Sequence, residues 1–282
     1  MKYRFLQFPG GKMKAVTLSY DDGYPQDLRF SDVITHYGLK CTFNLTAKNR
    51  LTPEQVREYM LDRGHEIAVH GAQHRAMGVQ RPIDGIKDVL DCRKHLESTY
   101  DIFVRGMAYP DTGIRRFANT AEYGDIKQYL TDLGIVYSRT LGGDNSSFTL
   151  PTDWHAWMPT AHHGNPALPE WIDKFLELDY NAFSITGVYP RLLYIWGHSF
   201  EFENNHNWDV LYKICEKISG REDIWYATNM EIYEYVTAYH SLIYSADGTV
   251  IYNPTRFKIW FVIDKKPYVI ESGETLRIQG GA

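Results

Sequence analysis

The sequence predicts an α/β fold in which parallel strands close, or nearly close, into a barrel with helices outside, followed by a small β appendage. Three observations predict it. An amphipathic stretch, a Gly and then a short β-branched or aromatic run recur in that order, with Gly38 before Leu39 to Phe43, Gly64 before Glu66 to Val69, and Gly134 before Ile135 to Tyr137. A glycine just past a helix takes the left-handed backbone that closes the last turn, so each instance reads as helix, stop, strand, and that alternation implies parallel strands. The 282 residues, 44% of them hydrophobic, suit one barrel with an addition, since barrels commonly run to about 250 residues as one unit. After about residue 240 the helical period gives way to alternating runs such as Val250-Ile251-Tyr252 and Ile259-Trp260-Phe261-Val262-Ile263, punctuated by Asp247-Gly248 and Lys265-Lys266-Pro267. These are hairpin signals.

In chain order, strands are expected over 14–20, 40–45, 66–70, 104–109, 135–139, 191–196 and 224–228, about seven βα units. The clearest helix start is Thr52-Pro53-Glu54-Gln55, where Thr52 caps, Pro53 suits the first helical position and Gln55 completes a capping box. Further helices are expected near 82–98, 119–132, 168–178, 207–219 and 230–240. In the stretch Trp208, Leu211, Tyr212, Cys215, Ile218 the spacing is that of a buried helix face. The chain thus divides into a barrel over 1–240 and a β-hairpin appendage over 241–282 packed on it, serving as a seal of the barrel's base or an oligomer contact in preference to a sugar-binding surface.

A formal net charge of −5 with no clustered run of Lys and Arg argues against nucleic acid held by phosphate neutralisation. No apolar stretch reaches membrane-spanning length and the start shows no leader, so a cytoplasmic protein without a membrane partner is expected. Cys41, Cys92 and Cys215 lie far apart without C-x-x-C spacing and read as reduced core thiols. The aromatic content, 21 Tyr, 13 Phe and 7 Trp, exceeds what the core requires and points to rings facing a cleft.

Three segments carry chemistry. The strand Ala15 to Tyr20 ends in Asp21-Asp22-Gly23, two adjacent carboxylates at the end where barrel sites are built. Adjacent acids repel, so a buried pair needs a cation nearby. His70 and His74, four apart past another strand, would share one face of a helical turn and can bind one metal through neutral imidazoles. With Asp22 they would form a three-ligand site open to water, the arrangement of a catalytic metal. The apolar run Leu192 to Trp196 leads through Gly197 to His198, again at a strand end. Two further features keep plain readings: His162-His163 as surface or pocket-rim histidines, and Glu201 as a partner of His198, a substrate contact or a structural pair.

At these segments together the sequence resembles the polysaccharide deacetylases of carbohydrate esterase family four, the NodB homology domain. The family's Thr-Phe-Asp-Asp-Gly reads here Ser19-Tyr20-Asp21-Asp22-Gly23; its His-x-x-x-His is matched by His70 and His74, and its late strand leading to a histidine by Leu192 to His198. The resemblance covers roughly residues 12–240. It implies a distorted (β/α)7-type barrel of the glycoside hydrolase/deacetylase kind. It further implies a divalent metal, Zn2+ with Co2+ as the other choice, on Asp22, His70 and His74. Asp21 would be the general base and His198 the acid for the departing amine. The substrate would be an acetylated carbohydrate, N-acetyl before O-acetyl. Competing readings are a carbohydrate-binding member of the fold with little catalysis, and a hydrolase of a non-sugar amide. Where the family carries an arginine paired with the catalytic aspartate this chain has Ala108, leaving Arg105, Arg115, Arg116 or Arg139 to supply the charge. Tyr109, Asp153 and Trp157 are the expected substrate contacts, the last two resembling the family's looser fourth motif. Tyr20, Tyr109, Trp154, Trp157 and Trp196 would line a cleft for sugar rings.

Overall fold

The structure is a computed structural model that describes residues 3–117, 120–142, 145–179 and 189–278. Strand β1 (Arg4–Gln7) precedes β2 (Lys14–Asp22), α1 (Gln26–His36), β3 (Cys41–Leu45), the short α2 (Pro53–Val56), which widens into a π turn over Arg57–Leu61, and β4 (Glu66–Val69). Then come α3 (Pro82–Tyr100), β5 (Gly106–Ala108), α4 (Tyr123–Asp132), β6 (Tyr137–Arg139), β7 (Ala161–His162) and α5 (Leu168–Leu176). The barrel region closes with β8 (Arg191–Gly197), α6 (Ser199–Asn204), α7 (Trp208–Ile218), β9 (Ile224–Tyr226) and α8 (Asn229–His240). Residue 119, the expected first residue of the helix before β6, lies outside the described residues.

Seven parallel strands stand in the order β6-β5-β4-β3-β2-β8-β7, curled into an incomplete barrel with the helices outside. A single parallel bridge, Arg139 to Trp157, spans the gap between β6 and the segment leading into β7. β9 was expected as a seventh barrel strand, but it pairs only with Lys14 to Val16 of β2, below the point where β3 begins at Leu18. The two-residue β7 takes the ring position instead; it is too short to announce itself by periodicity. β2 is central, and every residue but Asp22 is buried, as expected for a parallel strand covered on both faces.

Polar side chains inside the barrel pair with one another, as buried polar groups must. Asn44 donates to Ser19 at 2.8 Å, Thr17 donates to Asn229 at 3.0 Å, and Asn229 donates to Tyr194 at 2.5 Å. The Thr52–Gln55 capping box is present in both directions.

The remaining strands are β10 (Ile243–Tyr244), β11 (Val250–Tyr252), β12 (Ile259–Ile263), β13 (Lys266–Ile270) and β14 (Thr275–Arg277). They form two antiparallel three-stranded sheets, β10-β11-β14 and β1-β12-β13. The N-terminal strand therefore belongs with the tail: Arg4 to Gln7 pair with Ile263 to Trp260. One apolar cluster joins Leu6, Phe8, Ala15 and Leu192, at the start of the barrel strands, to Ile232 and Val236 of α8 and to Ile251, Ile259 and Phe261 of the tail. No helix among the described residues is long and apolar enough to cross a membrane.

Candidate active site

The C-terminal ends of β2, β4, β6 and β8 bring the three motif segments to one mouth. Period-two alternation puts Asp21 inside with Asn44 and Arg139, and would send Asp22 outward. The left-handed backbone at Asp22 (φ 84°) and Gly23 (φ 77°) ends the strand and keeps the second carboxylate over the mouth. A side chain at Gly23 would meet Asn49 Cβ at 2.5 Å, so the turn requires glycine twice over.

Asp22 Oδ1 lies 3.2 Å from His74 Nε2 and 3.5 Å from His70 Nε2. His70 Nδ1 is 2.9 Å from the Ala108 carbonyl, to which it donates, and this leaves the Nε2 lone pair facing Asp22. Two ligands bound at about 2.0–2.1 Å in tetrahedral geometry stand roughly 3.3 Å apart, so this carboxylate and these imidazoles fit one divalent ion. Burial resists ionisation of Asp22, but the His74 hydrogen bond and the His70 and His198 charges outweigh it and hold its carboxyl below the usual range. His74 is raised by its bond to Asp22, whereas burial lowers His70.

The two histidines do not share a helical turn, as their four-residue spacing predicts. They meet through a loop with left-handed Gly71 (φ 79°) and His74 (φ 52°). Asp88 of α3 pins that loop: its Oδ1 accepts from Gln73 N at 2.7 Å and its carbonyl from Ala72 N at 3.2 Å. No signal in the sequence marked Asp88, because its partner is a backbone amide fifteen residues away.

Asp21 is 1% exposed. Asn44 donates to its Oδ1 at 2.8 Å and Arg139, fully buried, donates to its Oδ2. Of the four arginines open to the role, Arg139 supplies the charge that Ala108 does not. It enters from β6 and lies against the Trp196 ring, 4.4 Å from its centroid. His198 caps α6, with Nε2 4.0 Å from Asp21 Oδ2 and from Asp22 Oδ2. Burial disfavours its charged form, but Glu201 and the two aspartates prevail and raise its pKa.

Asp21, Asp22, His70, His74 and His198 are thus brought together, while the expected substrate contacts are taken up elsewhere. Tyr109 is fully buried and donates to the His155 carbonyl at 2.9 Å. Asp153 caps a short 3-10 turn through His155 N (3.0 Å) and accepts from Tyr123 and Lys127, each at 2.8 Å. Trp157, 1% exposed, packs edge-on against Tyr137, Tyr194 and Trp154. Tyr20 is likewise buried, against Phe30. Of the five aromatics expected to line a cleft, only Trp154 and Trp196 are half-exposed. His163 is not a rim residue: it is buried, its Nδ1 3.2 Å from the Tyr20 hydroxyl.

The family model described as polysaccharide deacetylase matches residues 9–128. No curated protein matches the chain in sequence. Among solved structures, a putative polysaccharide deacetylase from Mycobacterium smegmatis is similar at 15% identity and TM-score 0.57, over 85% of this chain and 96% of that one. The Xyl-CE4 domain of a multidomain xylanase from the hindgut metagenome of Trinervitermes trinervoides is similar at 16% identity and TM-score 0.51, covering 80% and 92%. Puue allantoinase is similar at 11% identity and TM-score 0.57, covering 80% and 91%. At these identities the likeness is one of fold.

Proposed function

We propose that this chain, whose residues 9–128 match the family model described as polysaccharide deacetylase, is a metal-dependent hydrolase that removes acetyl groups from a carbohydrate, N-acetyl in preference to O-acetyl. The observation that carries the reading is the juxtaposition of a metal-compatible Asp22–His70–His74 set with the Asp21–Arg139 pair and His198. Asp22, His70 and His74 would hold the divalent ion, Zn2+ or Co2+. Such an ion, when bound, polarises the acetyl carbonyl and makes water more acidic.

Asp21 accepts the proton of the attacking water. Arg139 and Asn44 hold its two oxygens in place, so the base does not have to reorient during the reaction. His198 donates a proton to the departing nitrogen from Nε2, because an amine leaves poorly unless it is protonated as the tetrahedral intermediate collapses. Its place between the two carboxylates favours the protonated ring before that step. Acetate and a free amino sugar are the products.

Acetate release should be measured across chitooligosaccharides, acetylxylan and peptidoglycan fragments, with metal analysis of the same sample. Dialysis against chelator should abolish activity and Zn2+ or Co2+ should restore it. Activity indifferent to chelation would sink the metal mechanism. Turnover of allantoin with none of the acetylated sugars would replace the carbohydrate reading by that of a non-sugar amide.

A further inference from the structure

Three histidines converge on one carboxylate beside the reacting groups. Glu201 Oε2 lies 2.9 Å from His162 Nε2 and 3.2 Å from His163 Nε2, and accepts from His198 N at 3.4 Å; its Oε1 lies 3.3 Å from His198 Nδ1. His198 Nδ1 is buried from solvent and has no hydrogen-bond partner of good geometry, and Glu201 Oε1 is the carboxylate oxygen within reach of it. The reaction as derived above uses His198 of this cluster and leaves Glu201, His162 and His163 without a role.

Which ring nitrogens carry protons follows from the partners on the far side of each ring. His162 Nδ1 accepts from Gly164 N at 3.1 Å, and a backbone N–H can only donate. The proton of neutral His162 is therefore on Nε2, pointing at Glu201. His163 is buried and held near a pKa of about 3, mainly by desolvation and then by His162, so it too carries one ring proton. With that proton on Nε2 toward Glu201, the Tyr20 hydroxyl donates to Nδ1.

His162, His163 and Glu201 also have the spacing of a metal site. The tautomers oppose that use. A metal on Nε2 of a neutral imidazole puts the ring proton on Nδ1, where in His162 it would face the Gly164 N–H.

We propose that Glu201, with His162 and His163 as its two ring N–H donors, is a positioning residue: it keeps a proton on Nδ1 of His198 and turns Nε2 toward Asp21 and Asp22. The inference depends on the deacetylase reading for its catalytic consequence, though not for the hydrogen-bond arrangement. Two ring donors and the His198 amide on Oε2 leave Oε1 to face Nδ1. The lack of a side chain at Gly197 is part of the device, since a Cβ there would sit 2.0 Å from His163 Nδ1.

The test combines steady-state kinetics with ring-nitrogen NMR of 15N-histidine protein in mildly alkaline buffer. In the wild type, His198 should carry its proton on Nδ1 and His162 on Nε2. Glu201→Gln should lower kcat roughly 10–100-fold, leave KM within about two-fold, and shift the His198 ring signals. His162→Ala should lower kcat less, and His162→Gln, whose amide can donate to Glu201, should recover part of that loss. A folded Glu201→Gln with wild-type kcat and unchanged His198 signals overturns the proposal, and so does an additional bound metal that His162→Ala removes. If the wild type releases acetate from no substrate, the deacetylase reading fails while the ring-nitrogen spectra still decide the tautomers.

Discussion

At the scale of single residues, Asp21 and Arg139 illustrate what adjacency in sequence conceals. Two neighbouring aspartates signal a nearby cation, but the cation stands 118 positions away on another strand. Arg139→Met would leave a buried carboxylate without its partner and should cost about 3–5 kcal/mol in urea unfolding. Adding Asp21→Asn should recover much of that cost, and a double variant no more stable than Arg139→Met would show the pair to be unimportant. Asp21→Asn alone should lower kcat by at least about 100-fold while metal content is retained. His65 offers a pH prediction. Burial first, and the Lys40 and Arg63 charges second, lower its pKa from 6.5 to about 3. The unfolded chain therefore takes up the proton first. The stability His65 contributes is present above about pH 6.5 and is lost as pH falls toward 3, at up to about 1.4 kcal/mol per pH unit. Buried Asp27 and partly buried Glu66, both raised to about 7 chiefly by desolvation, act in the opposite sense: the folded chain protonates first and gains stability as pH falls below 7. His65→Gln should therefore cost stability at about pH 7.5 and cost less, or nothing, at about pH 4.5. A cost independent of pH would contradict the shift.

At the scale of elements, local chemistry was legible and long-range pairing was not. The Thr52 capping box needs only residues three apart, and it forms as read; Thr52→Ala should cost about 1 kcal/mol. The glycine stops at Gly38, Gly64 and Gly134 all carry positive φ, as their reading as helix stops requires. By contrast α6 and β7 are too short to show a period, and β1 is a strand only because β12 lies beside it. The His70–His74 loop shows the same limit. Spacing suggested a helical turn, whereas Asp88 on a later helix holds a left-handed loop. At the junction of β8 and α6, Gly197→Ala should push the His163 ring away and destabilise by about 1–3 kcal/mol. A crystal structure of that variant with His163 unmoved would refute the packing account.

At the scale of the whole molecule, the two chain ends and the barrel's base form one apolar cluster. Deleting residues 243–278 would expose Phe8, Ile232, Val236 and Leu242 and leave β1 without a partner. Each large apolar side chain returned to water costs about 1.5–3 kcal/mol, and several of them approach the ~5–15 kcal/mol that holds a domain folded. The truncated chain should bind a hydrophobic dye and lack a cooperative transition, whereas the intact chain should unfold in a single one. A cooperative transition in the truncated chain would show the barrel to be independent of its tail. Helix stops, caps and the placing of Asp21, Asp22, His70, His74 and His198 at or just past strand ends were determined by sequence alone, because each depends on a few consecutive residues. Tertiary structure alone decided that Arg139 faces Asp21, that Asp88 shapes the histidine loop, that Glu201 gathers three histidines, and that Tyr109 and Trp157 are core. These contacts join residues from separate elements, and only closure of the sheet brings them within hydrogen-bond reach.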